Sequence, residues 1–539
     1  MRTLRPLLAA IATLAVPAAR GGELLPATRP VEQAINHYVD ALLTRDEITP
    51  APQADDATLV RRLTLDLVGR IPTVAEADGY VKATDPDKRA KLVDQLITSP
   101  GFARFQAVQF DAMLTGPAGT DRRRGGVGDY LAAALKDGKT WDRVFRELML
   151  PDDTDPKQKG AAEYLRGRAN DLDKMTVDVS VAFFGVNVSC AQCHDHPHVA
   201  DWKQDHFYGM KSFFARTYEA GGKVAERPAG LVKFKPTRGP ERPAKLMFLT
   251  GATVETDTVR ELTKEEMKES GGKGNKSARP APLPKFSARA KLVEIALRSG
   301  ESEFFAKSIA NRMWHRFLGY GLVNPLDQMH TENPPSHPEL LAWLARDTAA
   351  HGYDLRRLVR GIVMSDTYSR ASKYPSESHP QARYFAVAQL KPLTPTQLAT
   401  SLKLAAADLA AFEGLKADEL EKKIEGIENA ARGFASQIAQ PTDDFQVGVG
   451  EALLFSNSDR VAKEFLTDGG GSLLGRAKAM SDPAESVALL VKAAFNRPAT
   501  DEELETLTGY VRKRSDRPAE AYRQVLWALL TSAEFRFCH

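Results

Sequence analysis

The sequence predicts a mainly α-helical protein, with two helical domains joined by a Gly/Pro-rich connection that holds a small β element. Three observations carry this prediction. Apolar residues recur at i, i+3, i+4 and i+7 over most of the chain. Helix-starting and helix-stopping residues bracket those runs. One long stretch, Ala220 to about Pro284, lacks the pattern and is rich in Gly, Pro and Lys. At 539 residues the chain is too long for one ordinary core, so more than one domain is expected.

The first segment, residues 1–19, reads as a secretory signal peptide. Met1, Arg2 and Arg5 give a basic start, Pro6 to Ala19 is apolar, and Ala18 and Ala19 offer small residues for cleavage. A retained N-terminal anchor is the alternative. No later run approaches the ~18 apolar residues of a membrane span, so no span is expected after signal cleavage. The expected location is extracytoplasmic, in the periplasm or cell envelope.

A first domain is expected over residues 30–219. Leu59, Leu63, Leu67 and Val68 mark a helix stopped by Gly69 and Pro72, and Thr73 with Glu76 makes a capping box for the next. Asp85-Pro86 opens a third helix with a Leu92, Val93, Leu96, Ile97 stripe, and Ser99-Pro100 starts a fourth with a bulky Phe face. Met175 to Ser189 suits a strand or a buried helix, and its helical surroundings favour the helix. The connection, residues 220–286, includes GGKGNKSARPAP at Gly271 to Pro282, with short strands expected at Leu231–Phe234 and Met247–Val254. A second helical domain is expected over 287–539. Its markers are a capping box at Ser336 and Glu339, the Leu355, Leu358, Val359, Ile362, Val363 stripe, and Thr394-Pro395 with Gln397.

Composition narrows the function. With 73 basic against 70 acidic side chains there is no basic excess for a nucleic-acid partner. Only three cysteines occur, Cys190, Cys193 and Cys538, which excludes a general disulfide framework. No Ser-His-Asp order, phosphate loop or zinc-protease helix is present, so whether the chain is an enzyme stays open.

The specific chemistry lies in Cys190-Ala191-Gln192-Cys193-His194. This spacing lets both thiols form thioethers with the two vinyl groups of one haem and places His194 as an axial ligand to iron. A second axial ligand has to reach the opposite face of the ring. His196 is too close, since two residues span at most ~7 Å. His206 or Met210 has enough chain, with His206 favoured, and an open position is the other option. A porphyrin-sized cavity beside Cys193, with His206 or Met210 across it, would accompany such a haem. The competing readings are a zinc or iron ion held by Cys190, Cys193, His194, His196 and His198, a redox disulfide, and an inert turn. Asn311, Arg312, Asp327, Glu332, Asn333 and His337 read as caps and ion pairs, or else as a second site facing the haem edge. Trp202, Trp314 and Trp343 read as core or interface, and Cys538 as a stray thiol or an intermolecular link.

CAQCHDHP, followed by Trp202, Gln204, Tyr208 and Phe213-Phe214, resembles the signature of a planctomycete-type family of exported proteins. Its N-terminal domain is cytochrome-c-like (PSCyt-type) and of unknown function. LVRRLTLDLVGRIPT at Leu59 to Thr73 is similar to that domain's opening. The second half resembles the family's PSD-type partner domain. The similar segments are SIANRMWHRFLGYGLVNPLDQ from Ser308, NPPSHPELLAWLA from Asn333, GYDLRRLVRGIVMSDTYSR from Gly352 and TSAEFRFCH from Thr531. The chain departs from the family at His330, where QMH replaces an aromatic-basic pair. The resemblance implies a c-type haem protein with an exported redox or sulfatase-like partner. The expected role is electron transfer, or a redox step coupled to an envelope enzyme. A metal-dependent hydrolase-like enzyme and a non-catalytic envelope scaffold are the alternatives.

Overall fold

A computed structural model describes residues 24–116, 126–256, 260–261, 263–264, 286–301, 303–441 and 448–539. The signal-peptide segment 1–19 and the whole of the Gly271–Pro282 run expected in the connection lie outside them. The protein is mainly helical, and its sheets among the described residues are small antiparallel pairs.

Local chemistry sets the helix ends. The Asp55 carboxylate accepts the Thr58 amide at 2.7 Å and opens Asp56–Val68, which stops where Gly69 turns left-handed (φ 74°) with the Phe105 ring packed in the space a Cβ would need. Both halves of the Thr73/Glu76 box open Val74–Lys82, and both halves of the Thr394/Gln397 box open Pro395–Ala406. Ser99 caps Pro100–Thr115. The expected Ser336/Glu339 box does not form. Helix Pro338–Ala350 begins one residue later, with His337 at its cap position. The Ser336 hydroxyl instead meets His337 Nδ1 at 3.0 Å, while the Ser336 amide donates to the Leu322 carbonyl.

Helix Leu172–Phe184 covers most of the ambiguous valine-rich run, but it ends at Gly185 (φ 66°) rather than running to Ser189. Val186 then forms an antiparallel bridge with Gln328. In the connection, Lys233–Phe234 pairs with Arg242–Pro243, and Leu246–Met247 with Thr253–Val254. The hairpin Thr217–Ala220 with Lys223–Glu226 was not anticipated.

Buried side chains do not divide at the connection. One core runs from Val31 to Val387, taking in helices on both sides of it, among them Val31–Arg45, Leu172–Phe184, Glu303–Leu318 and Leu355–Met364. A second core runs from Leu393 to Cys538 and admits Leu65 and Ile71 from the first half. The helix Asp56–Val68 lies between the two and buries even its polar residues Arg61, Arg62 and Asp66. Each charge has partners. Arg62 donates to the carbonyls of Tyr368, Arg370 and His539. Asp66 accepts from Lys391 Nζ at 2.7 Å and from the Tyr368 hydroxyl at 2.9 Å. The C-terminal pair Phe537–Cys538 joins the same region by pairing with Lys391–Pro392.

Candidate functional site

The helix Leu172–Phe184 delivers the chain to the Cys-x-x-Cys-His segment. At Gly185 a Cβ would sit 3.1 Å from the Leu326 carbonyl oxygen and from Met329 Sδ, so the chain can turn here only against the 325–333 loop of the second half. Val186, Val188 and Ala191 are buried and fix the segment from beneath, whereas Ser189, Cys190, Cys193 and His194 are exposed. Residues Ser189–Gln192 form a 3-10 turn. Positions three apart eclipse in such a turn, which favours one side for Cys190 and Cys193. Both are free thiols.

A buried glutamine holds this turn in place. Gln204 donates its backbone N–H to Asp195 Oδ1 at 2.9 Å and its side-chain amide to the Cys193 carbonyl at 3.2 Å. Its side-chain oxygen accepts from the Thr237 amide and hydroxyl. Tyr208, stacked on Phe234 with ring centroids 4.3 Å apart, donates its hydroxyl to the Gln192 carbonyl at 3.0 Å. The Gln192 side-chain amide donates to Asp173 at 3.0 Å, and Lys211 pairs with the same carboxylate. The turn is therefore exposed at its thiols and fixed at its backbone. Gln204 and Tyr208 stood in the sequence only as parts of a familiar pattern, and their role as anchors had no local signal.

Hydrogen-bond partners sort the histidines. His194 Nδ1 lies 2.8 Å from the Asp195 carbonyl. A carbonyl only accepts, so Nδ1 carries the proton and Nε2 presents its lone pair outward. His196 and His206 have the opposite arrangement. His196 Nδ1 accepts from the amides of His198 and Val199, and His206 Nδ1 accepts from the Lys203 amide at 3.2 Å. In their neutral forms each then carries its proton on Nε2 and has no free lone pair. Burial pushes the His206 pKa down. Burial first, and then the neighbouring His330, His198 and His194, push down that of His196. His198 is exposed.

The donor set of two thiols and one outward imidazole nitrogen fits covalent haem attachment, because the His194 Nδ1–H is held by a backbone carbonyl, as the N–H of a metal-ligating histidine usually is. Beneath the turn the side chains of Val186, Val188, Ala191 and Val199 are packed. Met210 is fully buried in the core with Phe207 and Phe213, and Trp202 is 3% exposed. A cleft of about 590 Å³ lies elsewhere, lined by Asp40, Gln53, Arg89, Asp366 and Arg370 among others, and includes none of the cysteines or histidines. Among the described residues, no three His, Cys, Asp or Glu side chains converge so as to hold a metal ion.

Cys538, expected to be stray or intermolecular, is instead 2% exposed, with Sγ 3.8 Å from Asp66 Oδ1. Burial and the Asp66 carboxylate raise its pKa to about 12. In the apo-protein, native alkylation is expected to modify Cys190 and Cys193 and to spare Cys538 until the chain is unfolded. Peptide mass mapping before and after denaturant checks this.

Of the second-half polar residues, Asn311 exchanges hydrogen bonds with both backbone groups of Val323. Asn333 donates to the Gln328 carbonyl at 3.0 Å, and Asp327 accepts from the Asn187 side chain. These fix the 322–333 loop, and that loop also reaches the cysteine turn.

Fold and site together define a helical two-domain protein that displays a Cys-x-x-Cys-His turn at its surface. Among the described residues, no helix is long and apolar enough to cross a membrane. The PSCyt2 family, described as a protein of unknown function (DUF1549), matches residues 34–219. The PSD1 family, also described as a protein of unknown function (DUF1553), matches residues 288–437. The chain thus carries a PSCyt2 domain followed by a PSD1 domain. No curated protein and no solved structure matches it.

Proposed function

We propose that this chain is an exported electron carrier, with one haem joined through Cys190 and Cys193 and its iron held by His194. One observation carries the reading: two free, exposed thiols on a fixed turn, followed by an imidazole whose Nδ1–H is committed to a backbone carbonyl and whose Nε2 is open. Each thiol would add across one vinyl group, sulfur to one carbon and hydrogen to the other, so no oxidant is consumed. When bound, the haem supplies one-electron oxidation and reduction.

The protein's own share is positional. Gln204 and Tyr208 fix the backbone that bears the sulfurs, and the Asp195 carbonyl sets the His194 tautomer. Since the side chains beneath the turn are packed, the prosthetic group belongs on the outer side of the loop. Such exposure suits electron exchange with another exported protein, a redox protein or a sulfatase-like enzyme. The export reading rests on the basic-then-apolar pattern of residues 1–19.

The test is full-length protein made in a host that attaches haem to such motifs. After denaturation, a pyridine haemochrome spectrum and a haem-stained band are expected, both lost in Cys190→Ala/Cys193→Ala. A colourless protein carrying stoichiometric zinc would replace this reading with the hydrolase-like one. A colourless, metal-free protein would leave the scaffold.

A further inference from the structure

We infer that the cleft of about 590 Å³ binds a small monocarboxylate whose other groups donate hydrogen bonds, with its acid end on Arg89 and its donors toward Asp366. The inference is independent of the haem reading, since no cysteine or histidine lines this cleft.

Both halves of the chain build the cleft. Asp40, Gln53 and Arg89 come from the region that the PSCyt2 family matches, and Asp366 and Arg370 from the region that PSD1 matches. Backbone bonds lock its walls together. The Ala54 amide donates to the Ser369 carbonyl at 2.8 Å, the Ala371 amide donates to the Pro52 carbonyl at 2.7 Å, and Gln53 bridges Arg370. Asn36 holds Asp366 twice: its side-chain N–H donates to the carboxylate at 2.7 Å, and its side-chain oxygen accepts the Asp366 amide at 2.9 Å. Leu59 and Arg370 are buried and form the floor, Asp40, Gln53 and Asp366 are exposed and form the rim, and Arg89 is half-buried between them. The walls are therefore preformed, and the volume is that of clefts which hold small molecules.

The charges around this space are unevenly spent. Arg370 is fully engaged, with Nη2 donating to Asp40 at 2.9 Å and Nη1 to the Phe385 carbonyl at 2.7 Å. Arg89 has no counter-ion: among the described residues no carboxylate pairs with it. Its Nη2 donates to the carbonyls of Val363 and Ser365, and its Nε is sealed from water. Nη1 has no acceptor among the described residues and is not sealed, so it is the atom that a ligand meets. Burial lowers the Arg89 pKa, and an anion beside it would offset that cost. Asp366 is the complement, an exposed carboxylate that accepts from Asn36 and pairs with no cation among the described residues. A polyanion would meet repulsion from Asp40 and Asp366 at the rim. A single carboxylate that also carries hydroxyl or ammonium groups satisfies Arg89 with one end and Asp366 with the other.

The experiment is saturation-transfer NMR on the full-length protein with size-matched probes: gluconate, ε-aminohexanoate, hexanoate and glucose. Gluconate or ε-aminohexanoate is expected to bind, and more tightly than hexanoate, while glucose and inorganic phosphate give no response. A gluconate response identifies hydroxyl groups as the partner of Asp366, and an ε-aminohexanoate response identifies an ammonium. Arg89→Gln is expected to raise the dissociation constant of the binding probe roughly tenfold or more, the usual worth of a hydrogen bond to a charged group. Asp366→Asn leaves the Arg89 bonds to Val363 and Ser365 in place and is expected to remove most of the advantage over hexanoate, which keeps the test decisive if the Arg89 variant folds poorly. No transfer to either carboxylate, glucose as effective as gluconate, or a response unchanged in either folded variant overturns the inference.

Discussion

Replacing Asp66 with alanine is expected to destabilise the protein by ~3–5 kcal/mol, the usual consequence of removing one member of a buried ion pair. Asp66 is 7% exposed and accepts from Lys391 through both oxygens and from the Tyr368 hydroxyl. Without it, Lys391 Nζ keeps only the backbone carbonyls of Phe317 and Arg316, and a full positive charge is left with little to balance it. Arg316 compounds the loss. Burial already pushes its pKa down to about 9, and the Asp66 carboxylate is what opposes that shift. Asp66→Asn retains an acceptor for Tyr368 and is expected to fall between wild type and the alanine variant. Cys538→Ala, which loses only a 3.8 Å sulfur contact, is expected to cost much less. Urea unfolding of the three variants measures the order, and an Asp66→Ala midpoint equal to wild type would contradict it.

Stability is expected to fall as the solution is acidified from pH 6.5 towards 4, and His337 is a named cause. This ring is 4% exposed, lies 5.4 Å from the Phe385 ring, and has its pKa lowered from 6.5 to about 4 by burial, with Arg45 and Arg370 adding to the shift. Between those two values the unfolded chain binds a proton that the folded chain does not, so stability rises with pH through that window. The contribution is fully present above 6.5. The linkage amounts to roughly 3 kcal/mol at most. His337→Gln cannot titrate, so its unfolding free energy is expected to vary less than wild type between pH 6.5 and 4. A wild-type and variant difference that stays constant over the window would rule His337 out.

The legible parts of the fold were those that local chemistry decides. Two capping boxes, the Gly69 stop and the Ser99-Pro100 start could be read because each is settled within four or five residues. The Ser336/Glu339 box failed because the helix starts one residue further on, with His337 at the cap position and the serine hydroxyl against its ring. The valine-rich run could be read as a helix but not its end, since Gly185 turns against Leu326 and Met329, over 140 residues away. The partition of the cores was hidden for the same reason: periodicity shows that a helix has an apolar face, not which helix covers it. At the candidate site, spacing alone draws attention to the two cysteines and His194. The Gln204 anchor, the histidine tautomers and the reach of the 322–333 loop depend on partners that no motif names.

The undivided core has a consequence for how this protein can be handled and how it can have been assembled. Val31 to Val387 pack as one body across the 220–286 connection, and the Asn187–Asp327 and Asp201–Thr331 contacts add polar stitching. A protease that nicks that connection would leave the two fragments attached, like subunits of an obligate heterodimer, and separation would require denaturant. Either fragment expressed alone would present a broad apolar face to water. The boundary between the two family matches is thus one that the larger core does not follow, and a gene split there would have to supply both products together.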